Sequence, residues 1–206
     1  MSRRSGMSAA AIMLAVAAGW TGCLVEDRQV EIVLNDEHCE RFAEHHTAAN
    51  YVTPGLLEFS DELDVLLADN GIDKEQIVDA FLVGGFFEVI EFSHPHDWEI
   101  EGIITVERTD IADDPDTLVV YTSVSVEDAL GNRTRMTLHP RGVAAIDRAL
   151  DDYLAGGYPA LLLTVISGGV QPPPSPVDPL SFRWESCLAI QVIYTLETRI
   201  IDPLGG

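Results

Sequence analysis

The stretch Thr117–Val126, TLVVYTSVSV, predicts the fold class. β-Branched and aromatic residues dominate it, and these residues favour strands because they pack well on a pleated, half-buried surface. Apolar and polar residues alternate along it, which places one set of side chains on each face of a sheet. The same two-residue period recurs in Gln29–Asn35, Trp98–Glu107 and Arg133–Leu138.

Longer apolar runs predict strands that are buried more deeply. Ile77–Phe92 is one such run, and Gly84-Gly85 inside it indicates a bulge or bend. Further strands are expected over Ala160–Ser167 and Phe182–Ile201, and a short one, interrupted by its proline and glycine, within Tyr51–Phe59. The polar stretch from residue 37 to residue 50 carries no clear signal for any element.

Two segments have the spacing of short helices. Ser60 is expected to cap a helix over Asp61–Asp69, and Gly71 to end it. Arg141–Leu154 places its apolar residues on one face, and Gly156 follows its end. The helices do not alternate with the strands, which argues against an α/β sheet. We therefore predict a mainly β protein, with an antiparallel β-sandwich of about eight strands and two short helices, as a single domain over residues 29–206.

The charge balance excludes some partners. The chain has 34 acidic and 12 basic residues and a net charge of −22. Nucleic acids and anionic lipid headgroups are poor partners for such a surface, because both are bound by clustered Arg and Lys. Divalent cations, a cationic partner, or simply a solvated acidic surface agree with the composition.

The N-terminus resembles an export signal. Arg3 and Arg4 precede the apolar run Ala9–Gly19, and small residues follow. The run is short for a membrane-spanning helix, which needs about 20 apolar residues. We expect residues 1–22 to be a signal peptide.

The end of this segment, Trp20-Thr21-Gly22-Cys23, resembles the processing site of bacterial lipoproteins. In that family the cysteine becomes the acylated N-terminus. The resemblance therefore implies lipidation of Cys23, a tether over residues 23–28 and a location outside the cytoplasm. An aliphatic residue usually stands where this chain has Trp20. Leu24, rather than Asp, implies the outer membrane, facing either the periplasm or the surface.

Two alternatives to lipidation remain. Ordinary cleavage near Ala15–Ala17 would release a free secreted protein, and an uncleaved segment would act as an anchor. The body, with its strand series, late helix and long final strand, also resembles the uncharacterised β-sandwich lipoproteins of bacterial surfaces. That second resemblance concerns architecture and assigns no functional residue.

The cysteine count predicts a disulfide. If Cys23 is acylated, Cys39 and Cys187 remain as a pair in an oxidising compartment. Their bridge would join the two ends of the domain. Two buried free thiols are the alternative.

An acidic loop is a candidate calcium site. The segment TDIADDPD groups four carboxylates, and carboxylate oxygens are the ligands that Ca²⁺ prefers. Its candidate ligands are Asp110, Asp113, Asp114 and Asp116. The spacing is not that of an EF-hand, and aspartates are also common in hairpin loops.

A histidine pair is a candidate site for a transition metal. His94 and His96 are two residues apart and would share a face on an extended segment. Asp97, His45 or His46 would have to supply a third ligand. An exposed loop with incidental histidines is the alternative.

Several aromatic residues on predicted strands or helices are candidates for a ligand groove, although most such residues pack in cores. They are Trp98, Tyr121, Tyr153, Trp184 and Tyr194. The serine beside glycines at Ser167-Gly168-Gly169 lacks the nucleophile-elbow pattern, and we interpret it as the end of a strand.

No spacing in the sequence identifies a reaction. We therefore expect a lipoprotein with a non-catalytic binding or envelope-structural role, no bound cofactor, and a protein or carbohydrate partner. A calcium-stabilised adhesion or carbohydrate-binding module is one alternative. A metal-dependent envelope hydrolase using His94, His96 and Asp97 is the other.

Overall fold

The computed structural model describes residues 27–92, 97–111 and 114–199. Most of these residues form strands. The strands are β1 (Asp27–His46), β2 (Asn50–Glu58), β3 (Ile77–Phe92), β4 (Glu99–Arg108), β5 (Asp116–Ser125), β6 (Thr134–Arg135), β7 (Leu161–Gln171) and β8 (Leu180–Arg199). The helices are α1 (Ser60–Asn70) and α2 (Pro140–Leu154), and Lys74–Gln76 forms a 3₁₀ turn.

The strands form two four-stranded sheets that pack face to face, which confirms the predicted β-sandwich. The first sheet has the order β1-β8-β3-β6 and the second the order β2-β7-β4-β5. All paired strands are antiparallel. Aliphatic and aromatic side chains from both inner faces form the hydrophobic core between the sheets.

The longest pairing in the molecule joins β1 to β8. Twenty consecutive residues of each strand are paired, from Asp27 opposite Arg199 to His46 opposite Leu180. Cys39 lies directly opposite Cys187, and the two sulfur atoms are 2.15 Å apart, at disulfide distance. The cysteine pair expected from the sequence therefore lies within one sheet and joins neighbouring strands.

β1 extends well beyond the predicted strand. Its alternation continues to His46, and the even-numbered residues face inward. Several of these inward residues are polar or charged. They are Asp36, His38, Glu40, Glu44 and His46. The sequence contained no clear strand signal here because the inward positions are not apolar.

Several other strands differ from the predicted ones in where they begin, end or are interrupted. β2 is continuous through Pro54, which is tolerated because β2 is an edge strand. Of the predicted strand Arg133–Leu138, Thr134–Arg135 pairs with β3 as β6, and Leu138 forms an isolated bridge to Val119. β7 runs on through Ser167 to Gln171, so that serine does not mark the end of a strand. The predicted irregularity in β3 is confirmed as a register shift between Leu82 and Gly84.

The predicted cap of α1 is wrong. Ser60 is the first helical residue, Phe59 occupies the N-cap position, and no side chain caps the helix. Gly71 does end α1, with φ of 65°. α2 packs against β3, β4 and β5, and Gly142 allows its close approach because a Cβ there would lie 2.8 Å from the backbone nitrogen of Leu118. Neither helix in the described part of the chain is long and apolar enough to span a bilayer.

The disulfide is expected to contribute strongly to stability. It closes a loop with a sequence separation of 148 residues. In the chain-entropy model, such a loop stabilises the folded state by about 5 kcal/mol. The double variant Cys39→Ala/Cys187→Ala should lose most of that free energy of unfolding, measured by urea denaturation. Reductant should destabilise the wild type and leave the variant unchanged. Equal stability of the two proteins would contradict the prediction.

Candidate functional site

A cavity of about 360 Å³ lies between the two sheets. This volume is at the lower end of the range of about 300–1,000 Å³ typical of small-molecule sites. Most of its lining side chains are aliphatic or aromatic. The exposed residues of the lining belong to β5 and to the segment that contains β6, so the cavity opens there. They are Val120, Thr122, Asp128, Thr134, Arg135 and Thr137.

Two tyrosines and two glycines shape the second sheet's side of the cavity. They are neighbours in one row across the four strands. The row runs from Tyr51 on β2 through Gly168 on β7 and Gly102 on β4 to Tyr121 on β5. The tyrosine hydroxyl oxygens are 2.5 Å apart. A Cβ on Gly102 would lie 2.8 Å from the Tyr121 hydroxyl oxygen, so the hydroxyls can meet only because the intervening residue is glycine.

The next rung of the same sheet supplies apolar walls. Ile166, Ile104 and Val119 are successive partners on β7, β4 and β5, and all three line the cavity. The first sheet contributes aromatic and aliphatic side chains from the other side. These are Phe87, Val89, Phe182 and Trp184. Phe42 supports the indole of Trp184 by stacking, with ring centroids 4.7 Å apart.

Glu44 is a buried carboxylate in the cavity lining. Its Oε1 accepts a hydrogen bond from Trp184 Nε1 at 3.2 Å. Its Oε2 accepts from the Thr53 hydroxyl at 3.0 Å and lies 3.0 Å from His46 Nε2. The His46 ring in turn packs on Tyr51, with centroids 4.6 Å apart. Glu44, His46 and the two tyrosines thus form one polar cluster in an otherwise apolar cavity.

The cluster sets the protonation of its acids. Burial alone would raise the pKa of Glu44, but hydrogen bonds from His46, Trp184 and Thr53 outweigh it and lower the pKa below 4.5. Burial raises the pKa of Tyr51 and of Tyr121, and the nearby charge of Glu44 adds to both shifts. At neutral pH the carboxylate is therefore ionised while both tyrosines keep their protons.

His46 is the nearest basic group to this charge. Among the described residues it is the only basic side chain within 4.0 Å of the Glu44 carboxylate. No lysine or arginine of that part of the chain pairs with it. The site therefore presents a buried negative charge, aromatic faces and apolar walls, an arrangement that can hold an apolar body with a polar or charged end.

The acidic loop is only partly described, because Asp113 lies outside the described residues. The Asp110 carboxylate accepts hydrogen bonds from Arg108 Nε at 2.9 Å and from Arg108 Nη2 at 2.6 Å. This pairing lowers the pKa of Asp110. Asp116 lies 3.6 Å from Arg148 Nη2, and Asp114 is exposed. Two of the proposed calcium ligands thus have arginine partners, and the calcium site stays a prediction.

The predicted histidine site is also only partly described. His94 and His96 lie outside the described residues, as does Cys23. Asp97 accepts a hydrogen bond from the backbone nitrogen of Glu127 at 3.0 Å. Alternation along β1 separates the other two candidates. His45 faces outward, where its Nδ1 is 2.8 Å from the Ser181 hydroxyl, whereas His46 faces the cavity.

One further group of potential metal ligands lies in the described part of the chain. It consists of Glu37, Cys39 and Cys187, whose ligand atoms lie within 4.8 Å of one another. Its two sulfur atoms already form the disulfide.

The aromatic candidates divide into cavity and core. Tyr121 and Trp184 line the cavity, whereas Trp98 and Tyr194 are buried in the core, and Tyr153 lies on α2 beside Lys74. Tyr51 was not singled out from the sequence. A two-residue period through the polar segment of β1 was the signal that could have placed Glu44 inward.

Comparison with known proteins adds no functional assignment. No protein-family model matches the chain, and none of the curated proteins matches it. One solved structure that matches is entitled "Structure of infectious bursal disease virus Gx strain", with a TM-score of 0.32 and 9% identity. The match covers 87% of this chain and 36% of the viral chain, so this chain spans about a third of that protein. At this level the likeness carries no argument about function.

Glu44 is expected to make stability depend on pH. The folded-state pKa of Glu44 lies below its ordinary value of 4.5. The ionised carboxylate therefore stabilises the fold fully when the pH is above the ordinary value. This contribution is lost as the pH falls through the folded-state pKa. Glu44→Gln should therefore lower the free energy of unfolding at pH 7 by about 1–3 kcal/mol, the typical effect of disrupting buried hydrogen bonds. The difference from wild type should shrink in acid.

Urea denaturation of both proteins from pH 7 to pH 3 measures this difference. Glu31→Gln is a matched control, since Glu31 lies on the same strand and is exposed on its outer face. The control should follow the wild type at every pH. A stability difference for Glu44→Gln that stayed constant into acid would show that the charge of Glu44 is not responsible.

Proposed function

We propose that the protein is a membrane-tethered lipoprotein of the cell envelope, with a non-catalytic binding role that uses the inter-sheet cavity. The observation that carries this proposal is the cavity of about 360 Å³, which combines apolar walls with one buried polar cluster. A stable core of this size normally leaves few voids larger than a water molecule. A retained cavity that opens at the surface is therefore best explained by an occupant.

The polar groups of the cavity favour binding over catalysis. Glu44 accepts hydrogen bonds from Trp184 and Thr53 and lies beside His46. Tyr51 and Tyr121 are bonded to each other. A catalytic acid or base needs a pKa near the working pH. Glu44 is shifted downward and the tyrosines upward, away from neutrality.

The tether is inferred from the sequence. The export signal over residues 1–22 and the site Trp20-Thr21-Gly22-Cys23 support acylation of Cys23, and Leu24 favours the outer membrane. Several acyl chains anchor a protein much more firmly than one. Anchoring would keep the binding domain beside the membrane, where apolar and amphipathic molecules concentrate.

Lipidation is tested by intact mass and membrane partitioning of the expressed protein. The wild type should carry the mass of acyl chains on Cys23 and sediment with membranes. Cys23→Ser should lack this mass and remain in the soluble fraction. An unmodified, soluble wild type would exclude the lipid anchor and make Cys23 a third thiol of the chain.

Use of the cavity is tested with the neutral fluorescent probe N-phenyl-1-naphthylamine. The wild type should bind it saturably, one probe per chain. Ile104→Phe fills part of the cavity and should weaken binding by about tenfold, a loss of roughly 1.4 kcal/mol. Val119→Leu is a milder filling variant.

A control for filling lies at the neighbouring position of the same strand. Ile104 faces the cavity and is 8% exposed, whereas Ile103 points away from it and is 41% exposed. Ile103→Phe should leave probe binding unchanged. All variants are measured in one detergent, so that uptake of the probe by micelles is the same for each and cancels in the comparison. Equal binding by all variants would show that the probe does not enter the cavity.

A further inference from the structure

We propose that the cavity binds an organic ammonium ion, with the apolar part of the ligand between the sheets and its positive nitrogen beside Glu44. This inference rests on the proposed function, namely that the cavity is a binding site. It adds the chemical class of the ligand. Its basis is the position of one buried carboxylate among aromatic rings, with His46 as its nearest basic neighbour.

The carboxylate of Glu44 is buried, and His46 is its only basic neighbour within 4.0 Å among the described residues. A buried carboxylate loses its hydration, and a paired cation is the usual compensation. Trp184 and Thr53 donate hydrogen bonds to Glu44 but carry no charge. A carboxylate has about four acceptor positions, and these two donors with His46 occupy three of them. We expect an N–H donor of a ligand to occupy the fourth.

Aromatic side chains surround that charge. Five aromatic side chains contribute to the lining, in addition to His46. They are Tyr51, Phe87, Tyr121, Phe182 and Trp184. The faces of such rings attract cations through their quadrupoles, and indole is the most favourable of them. Carboxylate and aromatic rings together match an alkylammonium or quaternary ammonium group better than a neutral or anionic one.

Glu44 also disfavours negatively charged ligands. A fatty acid in the same cavity would place its carboxylate near Glu44, and the two negative charges would repel each other. The opening carries one acidic and one basic side chain, Asp128 and Arg135, and so favours neither sign. The net charge of −22 attracts cations to the molecule as a whole. Selection for an ammonium group is therefore assigned to Glu44.

The test is isothermal titration calorimetry of the full chain with three ligands that share one hydrocarbon part. They are 4-phenylbutylamine, 4-phenylbutanol and 4-phenylbutyrate, at a pH where the amine is protonated. The wild type should bind the amine at least about tenfold more tightly than the alcohol, and the carboxylate most weakly. This ranking in the wild type needs no variant and so does not depend on how any variant folds.

Two substitutions locate the selectivity. Glu44→Gln should weaken binding of the amine to the level of the alcohol, while the affinity for the alcohol changes by less than about threefold. Glu31→Gln removes one carboxylate from the exposed outer face of the same strand and should leave the ranking unchanged. A preference for the amine that survived in Glu44→Gln or vanished in Glu31→Gln would overturn the assignment to Glu44.

The outcomes separate this inference from the proposed function. If the alcohol binds as tightly as the amine, or the carboxylate more tightly, the cavity remains a binding site and the ammonium inference is wrong. If none of the three ligands binds and N-phenyl-1-naphthylamine also fails to bind, the proposed function fails, and the inference fails with it.

Discussion

The ladder between β1 and β8 determines both the covalent link and the candidate site. Side chains alternate along a strand, so a single register decides which of them face the interior. With Cys39 opposite Cys187 on the outer face, Glu44 necessarily faces inward, across from β2. A slip of one residue would expose Glu44 and bury its outward neighbours. The disulfide therefore also holds the register that places the carboxylate in the cavity.

The sequence predicted the parts of the fold where local signals agree with packing. β5 and α2 followed their apolar periods, and the cysteine pair followed from counting thiols. The second half of β1 was missed because charged and polar residues occupy positions that usually hold apolar ones. Local rules fail most often where a protein sacrifices packing for function. The failure at residues 37–46 coincides with the strand that carries Glu44.

The cavity depends on contacts that no local pattern contains. Tyr51 and Tyr121 are 70 positions apart and meet only because Gly102, on one of the two strands between them, has no side chain. In the sequence Gly168 looks like a strand end, although it lies within β7, where a Cβ would collide with the backbone of Glu101 and Gly102 on β4. His45 and His46 show the reverse case. They are neighbours in sequence, yet they lie on opposite faces of β1.

Two costs to stability coincide in this site, and their coincidence supports a functional origin. An apolar cavity forgoes packing contacts, and a buried carboxylate forgoes hydration. Filling the cavity with larger side chains and replacing Glu44 with an apolar residue would remove both costs. Hydrogen bonds from Trp184 and Thr53, together with His46, offset the hydration that this carboxylate loses. A ligand with an apolar body and a positive end would satisfy the cavity and the carboxylate together, which explains why both persist in the same place.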